Sequence, residues 1–255
     1  MRNPWLHHYH STPAARVRLV CLPHAGGGAS SYRSWAPLLP DAVELVAIQY
    51  PGREDRFTDP LVDDMAELTD RIAAALHTLP PRPYALFGHS MGSAVAYELA
   101  HHARATGRPE PVRLLSSGRR APAEAVGGCV HLGDDQALCA ELVRLGGSSA
   151  EVLADPELRR MVLTYVRNDY RLIERYRPAS RPPLTCPVTV FAGRDDPEFT
   201  VAQAAGWARV TTGRTDALSF PGGHFYLAAQ RDHLVAAILR RLAPTLDITS
   251  WPSTP

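Results

Sequence analysis

Three positions in this chain carry the residue types of acyl-transfer chemistry. Ser90 stands in Gly88-His89-Ser90-Met91-Gly92, Asp196 in Gly193-Arg194-Asp195-Asp196-Pro197, and His224 in Pro221-Gly222-Gly223-His224-Phe225. A serine hydroxyl attacks a carbonyl only when a base takes its proton. An imidazole serves as that base best when a carboxylate holds its tautomer. The order Ser, Asp, His along the chain is one of the known orders of such a triad. Ten other histidines exist, so position selects His224, on a glycine-rich loop after the last apolar run. His101, His102 and His233 read as solvated helix positions, and His7, His8 and His10 fall in a polar N-terminal stretch. His77 ends a helix, His131 lies in the lid region (121–180), and His89 is too close to Ser90 to serve as its base. His24 reads as holding its own loop through hydrogen bonds. For the acid, Asp195 and Asp196 compete. Asp196 precedes Pro197, which restricts its backbone to extended conformations.

These residues need elements to hold them. Tyr84-Ala85-Leu86-Phe87 reads as a buried strand, and the apolar residues at 94, 95, 96, 99 and 100 follow at helical spacing. A strand turning sharply into a helix with serine at the apex is a nucleophile elbow. Its flanking glycines avoid collisions with the neighbouring elements. The Met91 amide then lies at a helix N-terminus, placed to donate to an oxyanion. Val17–Leu22 is a second strand, running into Pro23-His24-Ala25-Gly26-Gly27-Gly28. This loop offers the Ala25 amide as a second oxyanion donor, with Gly26 as its neighbour. Neither dinucleotide-loop nor P-loop spacing is present.

Further strands read at Val43–Gln49, Val112–Ser117, Pro187–Ala192 and Ala217–Phe220. Helices read at 34–39, 61–79, 134–145, 156–176 and 201–209. Strand–helix alternation favours a mostly parallel sheet with crossover helices. From 121 to 180 the alternation stops. Two helices there read as an inserted lid within one domain spanning 1–255, with Gly127-Gly128 and Gly146-Gly147 as hinges and Ser148-Ser149 as linker. The turn Tyr50–Arg56 reads either as a solvated loop with an internal Arg–Glu pair or as an edge of the substrate site. Residues 1–13 and 246–255 read as loose ends.

The chain has 255 residues with 45% hydrophobic and 21% charged content and a net charge of +1, so it carries no electrostatic bias toward nucleic acid or anionic membranes. Four cysteines show no metal-ligand spacing, and Cys21 and Cys186 read as buried free thiols. The N-terminus lacks the apolar core of a signal peptide and no apolar run approaches membrane-spanning length, which makes the cytoplasm the default expectation.

With these residues in view, the chain resembles the type II thioesterases that accompany polyketide and nonribosomal peptide synthases, on the α/β-hydrolase fold. The markers are Pro23-His24-Ala25-Gly26-Gly27 with Tyr32 and Trp35, Pro51-Gly52-Arg53, Gly88–Gly92, Gly193-x-x-Asp196-Pro197, Trp207, and Pro221–Phe225. The resemblance implies Asp196 as the acid and Ala25 and Met91 as oxyanion donors. It implies no metal or organic cofactor. The implied partner is an acyl or peptidyl carrier protein presenting a phosphopantetheine thioester, and the implied activity is hydrolytic proofreading of that thioester. Arg53, Arg56, Arg119 and Arg120 are candidates to meet an acidic carrier protein. The oligomeric state stays open, with a monomer the simpler expectation. Three rivals remain: a small-ester esterase or lipase on the same fold, a cyclising thioesterase, and an inactive carrier-binding scaffold.

Overall fold

A computed structural model of the chain describes residues 3–146 and 154–246. Gly147, Ser148, Ser149 and the C-terminal stretch 247–255 lie outside the described residues. Seven strands form one sheet: β1 (Leu6–His10), β2 (Val17–Leu22), β3 (Val43–Ile48), β4 (Tyr84–His89), β5 (Arg113–Ser117), β6 (Val188–Gly193) and β7 (Thr215–Phe220). Their spatial order is β1-β3-β2-β4-β5-β6-β7. All neighbours are parallel except β1, which runs antiparallel to β3. This is the mostly parallel α/β-hydrolase architecture expected from the alternation.

Central strands are covered on both faces, so they read as continuous apolar runs. Alternate residues feed two separate cores. Val20, Leu22, Leu86, Leu114 and Val190 face α1 (Met65–Leu76) and α2 (Met91–Ala105). Leu19, Cys21, Leu45, Phe87 and Phe191 face Tyr32, Trp35 and the C-terminal helix. Local chemistry sets the helix starts. Asp64 accepts from the Glu67 amide at 2.8 Å and begins α1, four residues later than its apolar pattern suggests. Asp134 caps α3 (Asp135–Leu145), and Asp155, followed by Pro156, caps α4 (Pro156–Arg175). The last helix is α5 (Arg231–Leu242).

Several expectations need correction. The N-terminal stretch is not a loose end, because residues 6–10 form edge strand β1, with Leu6 buried and Tyr9 packed on the core. His7, His8 and His10 lie on this strand beside Asp55, Glu44 and Asp41. Residues 29–38 and 201–209 are 3-10 rather than α-helical. His101 is 4% exposed, with its ring edge-on to Tyr97, and is not solvated.

The segment between β5 and β6 contains α3 and α4, which share a small core of Leu138, Leu142, Leu163 and Val166. A Cβ on Gly127 would meet the Arg177 guanidinium, and one on Gly128 the Glu174 side chain near the end of α4. The second core face, the elbow and α4 together set the carboxyl ends of β2, β4, β5, β6 and β7 around one opening, where open α/β sheets bind ligands.

Candidate active site

Ser90 sits between β4 and α2 with φ 53° and ψ −115°, one of two non-glycine residues at positive φ among the described residues. Such a backbone is costly and must be imposed by its surroundings. The impositions are visible. The Ser90 amide donates to the Ser117 carbonyl at 2.8 Å. Ser93 Oγ donates to the Gly88 carbonyl at 2.7 Å and receives the Ser117 amide at 3.1 Å. A Cβ on Gly88 would overlap the Gly92 carbonyl, and one on Gly92 would overlap the Leu22 carbonyl. Only glycine fits at either side of the elbow.

His224 follows β7, and Asp196 follows β6. Asp196 is buried and accepts from His224 Nδ1 with both oxygens, at 2.9 and 3.1 Å, and from the Glu198 amide at 2.8 Å. A carboxylate only accepts, so the proton sits on Nδ1 and the Nε2 lone pair is left for another partner. Asp195 is exposed and its side chain makes no hydrogen bond among the described residues. The two loops that carry His224 and the acid touch closely. A Cβ on Gly193 would overlap the Gly223 carbonyl.

Ser90, His224, Ala25 and Met91 line one cavity of about 460 Å³, within the usual size of small-ligand sites. Tyr170, Ile173 and Glu174 of α4 and Glu141, Arg144 and Leu145 of α3 wall it from the inserted side. Met91 is the first residue of α2, so its amide lies outside the helical ladder. The Ala25 amide has no acceptor among the described residues, whereas the Gly26 amide is engaged by Asp169 Oδ2 at 2.8 Å. Of the two loop amides, Ala25 is the one left to donate.

Two more imidazoles surround His224. His89 lies 5.0 Å from it, ring centre to ring centre, and His24 lies 5.8 Å from His89. Desolvation favours the neutral form of both, with His89 fully buried and His24 half-buried. His24 falls to about 3, chiefly by desolvation and then by repulsion from His224 and Arg53. His89 falls well below the ordinary range, again chiefly by desolvation. His89 Nδ1 shares a 2.9 Å hydrogen bond with Ser117 Oγ, which pairs at 2.7 Å with the Tyr226 hydroxyl. His24 does not hold its loop through its ring. It packs edge-on against Phe225 at 4.7 Å, and its carbonyl accepts the Gly27 amide.

The turn 50–56 is solvated only at Glu54 and Asp55 and is not closed by an Arg–Glu pair. Arg53 is 3% exposed and forks onto Asp169 of α4, at 2.5 and 2.8 Å. Arg56 is also buried, over the Trp5 ring at 4.1 Å. Burial removes both from the arginines able to meet a carrier protein. Arg119 and Arg120 line the cavity instead, and desolvation lowers Arg119 to about 10. Asp169 escaped notice in the sequence because its partner lies 116 residues away. The only signal was an Arg after Pro-Gly in a marker motif.

Among the described residues, no cluster of three or more His, Cys, Asp or Glu is arranged to hold a metal ion, and no helix is long and apolar enough to cross a membrane.

A profile of the thioesterase domain family matches residues 17–242. The chain is similar to the probable cadicidin biosynthesis thioesterase of Streptomyces griseus, 43% identical over 240 residues, which make up 94% of this chain and 66% of that protein. It is 39% identical to thioesterase PikA5 of Streptomyces venezuelae over 261 residues, 98% of this chain and 91% of that one. Among solved structures, the type II thioesterase BorB from the borrelidin biosynthetic cluster superposes with a TM-score of 0.87 at 40% identity, covering 95% of this chain and 99% of that one.

Proposed function

The chain belongs to the thioesterase domain family, and on that premise we propose that it hydrolyses acyl thioesters on the phosphopantetheine arms of carrier proteins, proofreading polyketide or nonribosomal peptide assembly. The observation that carries the mechanism is the buried Asp196–His224 pair opening onto the same cavity as the strained Ser90.

In this reading Ser90 Oγ attacks the thioester carbonyl carbon while His224 Nε2 takes its proton. The C=O electron pair moves onto oxygen, and the amides of Ala25 and Met91 receive it. Each such donor is worth roughly 3–4 kcal/mol when measured by removal in a serine protease. Asp196 keeps the Nδ1 proton in place and stabilises the imidazolium. Collapse of the intermediate breaks the C–S bond. The imidazolium protonates the leaving thiolate, and an acyl group remains on Ser90. Water, deprotonated by His224, then attacks the acyl-enzyme. As the second tetrahedral intermediate collapses, its C–Oγ bond breaks, the His224 imidazolium returns the proton to Ser90 Oγ, and the acid is released. No step in this sequence calls for a cofactor on the enzyme; the phosphopantetheine belongs to the carrier.

The inserted segment around α3 and α4 acts as the lid, and its walls select the acyl group. The test is a panel of carrier proteins loaded with acetyl, propionyl, butyryl and longer chains, with release followed by intact mass. Faster release from the carrier than from the matching free pantetheine thioester is expected. Turnover of simple oxyesters with no release from any carrier would instead make the chain a general esterase.

A further inference from the structure

We propose that Asp169 and Arg53 are positioning residues for the oxyanion loop, so that the inserted helix α4 is a working part of the catalytic centre. The inference rests on the assignment of the Ala25 amide as an oxyanion donor.

An amide donates usefully only if its peptide plane is held at the right angle before charge develops. The Ala25 N–H belongs to the His24–Ala25 plane, whose carbonyl is fixed by the Gly27 amide at 2.9 Å. The next plane, Ala25–Gly26, is held by Asp169 Oδ2, which accepts the Gly26 amide at 2.8 Å. The Gly27 carbonyl accepts from Arg53 Nη1 at 3.2 Å. Of the four peptide units from His24 to Gly28, His24–Ala25 and Gly26–Gly27 are joined by the Gly27–His24 bond, and Ala25–Gly26 and Gly27–Gly28 are tied directly to one buried ion pair. That pair is itself over-determined. Arg53 forks onto both oxygens of Asp169, and its guanidinium lies over Tyr165 at 4.8 Å and Tyr50 at 5.5 Å. Tyr50 also reaches the same loop, its hydroxyl donating to the Pro23 carbonyl at 3.2 Å.

The loop cannot hold this shape unaided. Gly26 has φ +83°, which side-chain-bearing residues rarely adopt, and a Cβ there would overlap Val166 of α4. Three glycines in succession leave its backbone many alternatives. Asp169 and Val166 lie on the same helix, so α4 supplies both the acceptor that orients the loop and the wall against which it closes. Moving α4 away would withdraw Asp169 from Gly26 and release Ala25. The site is then complete only while α4 is seated.

The test uses the full chain with Asp169→Asn, Asp169→Ala and Arg53→Lys, and Ser90→Ala as control. Substrate is an acyl N-acetylcysteamine thioester. The second probe is the matching acyl trifluoromethyl ketone. Ser90 Oγ adds to its carbonyl, His224 takes the proton, and the carbonyl oxygen becomes the same oxyanion. The expected result is a fall in kcat of about 10–100-fold, below the loss for deleting a donor outright. KM should stay within about twofold, and trifluoromethyl ketone affinity should fall by the same factor as kcat. Wild-type kcat and ketone affinity in folded Asp169→Asn and Arg53→Lys, with only the unfolding midpoint lowered, would reduce the pair to a brace and overturn the proposal. If Asp169→Ala does not fold, the two milder variants still decide. Wild-type protein inert on thioesters, or active after Ser90→Ala, would instead overturn the underlying assignment, and the proposal with it.

Discussion

Asp196→Asn separates orientation of the base from mere proximity. Asp196 Oδ1 receives the Glu198 amide at 2.8 Å, while Oδ2 makes the shorter contact to His224 Nδ1. An asparagine keeps the Glu198 bond only by placing its carbonyl at the Oδ1 position. Its NH2 then faces Nδ1. Two donors cannot share that contact, so the imidazole moves its proton to Nε2 and presents N–H, not a lone pair, to Ser90. The equivalent substitution in a serine protease lowers kcat about 10⁴-fold, or ~5.4 kcal/mol of activation free energy. The burial of Asp196, whose side chain is 0% exposed, leaves water no route to substitute. The assay is kcat/KM on an acyl N-acetylcysteamine thioester, with unfolding midpoints to verify the fold. Asp195→Asn is the companion variant; its exposed side chain predicts a change under about twofold. A loss below tenfold in Asp196→Asn, or a larger loss in Asp195→Asn, would refute the reasoning.

Other perturbations test the scaffold. His24 and His89 are neutral in the fold but protonate near pH 6.5 when unfolded, so the unfolded chain binds more protons below that pH. Stability is full above pH ~6.5 and declines below it by about 1.4 kcal/mol per pH unit for each group, with the His24 contribution exhausted near pH 3. Urea midpoints that stay constant from pH 7.5 to 5 would contradict this. Ser117→Ala strips partners from both His89 and Tyr226 while leaving the backbone anchor of Ser90. At roughly 1–3 kcal/mol per orphaned buried group, a loss of about 2–4 kcal/mol is expected in urea unfolding, and less than ~0.5 would argue against the network. Gly92→Ala drives a methyl into the Leu22 carbonyl and should remove activity and about 3 kcal/mol or more of stability. Gly107→Ala, at φ +68° with open space around it, should cost about 1 kcal/mol and leave turnover intact.

The elbow, the mostly parallel sheet around it and the positions of Asp196 and His224 just beyond strand ends were legible because each rests on local pattern. A strand signal ends, a turn motif follows, and the reactive residue stands at the join. Choosing between Asp195 and Asp196 needed the motif, and the side-chain geometry bears on Asp196 alone. What escaped was encoded at long range. Strand β1 buries Leu6 and packs Tyr9 while its other side chains stay polar, so it reads as a histidine-rich tail until β3 lies beside it. Arg53 has Glu54 as its neighbour in sequence, yet Glu54 turns away to accept from Ser30 Oγ at 2.5 Å, and the guanidinium finds Asp169 across the fold. His101 lies one turn beyond Tyr97 on α2, and helix periodicity alone did not show that this face is covered. Residues 201–209 have helical spacing, and nothing in their composition distinguishes a 3-10 turn from an α-helix.

The central claim is that Ser90 carries the acyl group between carrier and water. The direct measurement is the intact and peptide mass of enzyme quenched in acid during turnover of an acyl-loaded carrier protein. The account predicts a transient adduct of one acyl mass on the peptide containing Ser90, lost with substrate depletion and absent, together with turnover, in Ser90→Ala. An acyl group found on another residue, or carrier hydrolysis that survives Ser90→Ala, would contradict it.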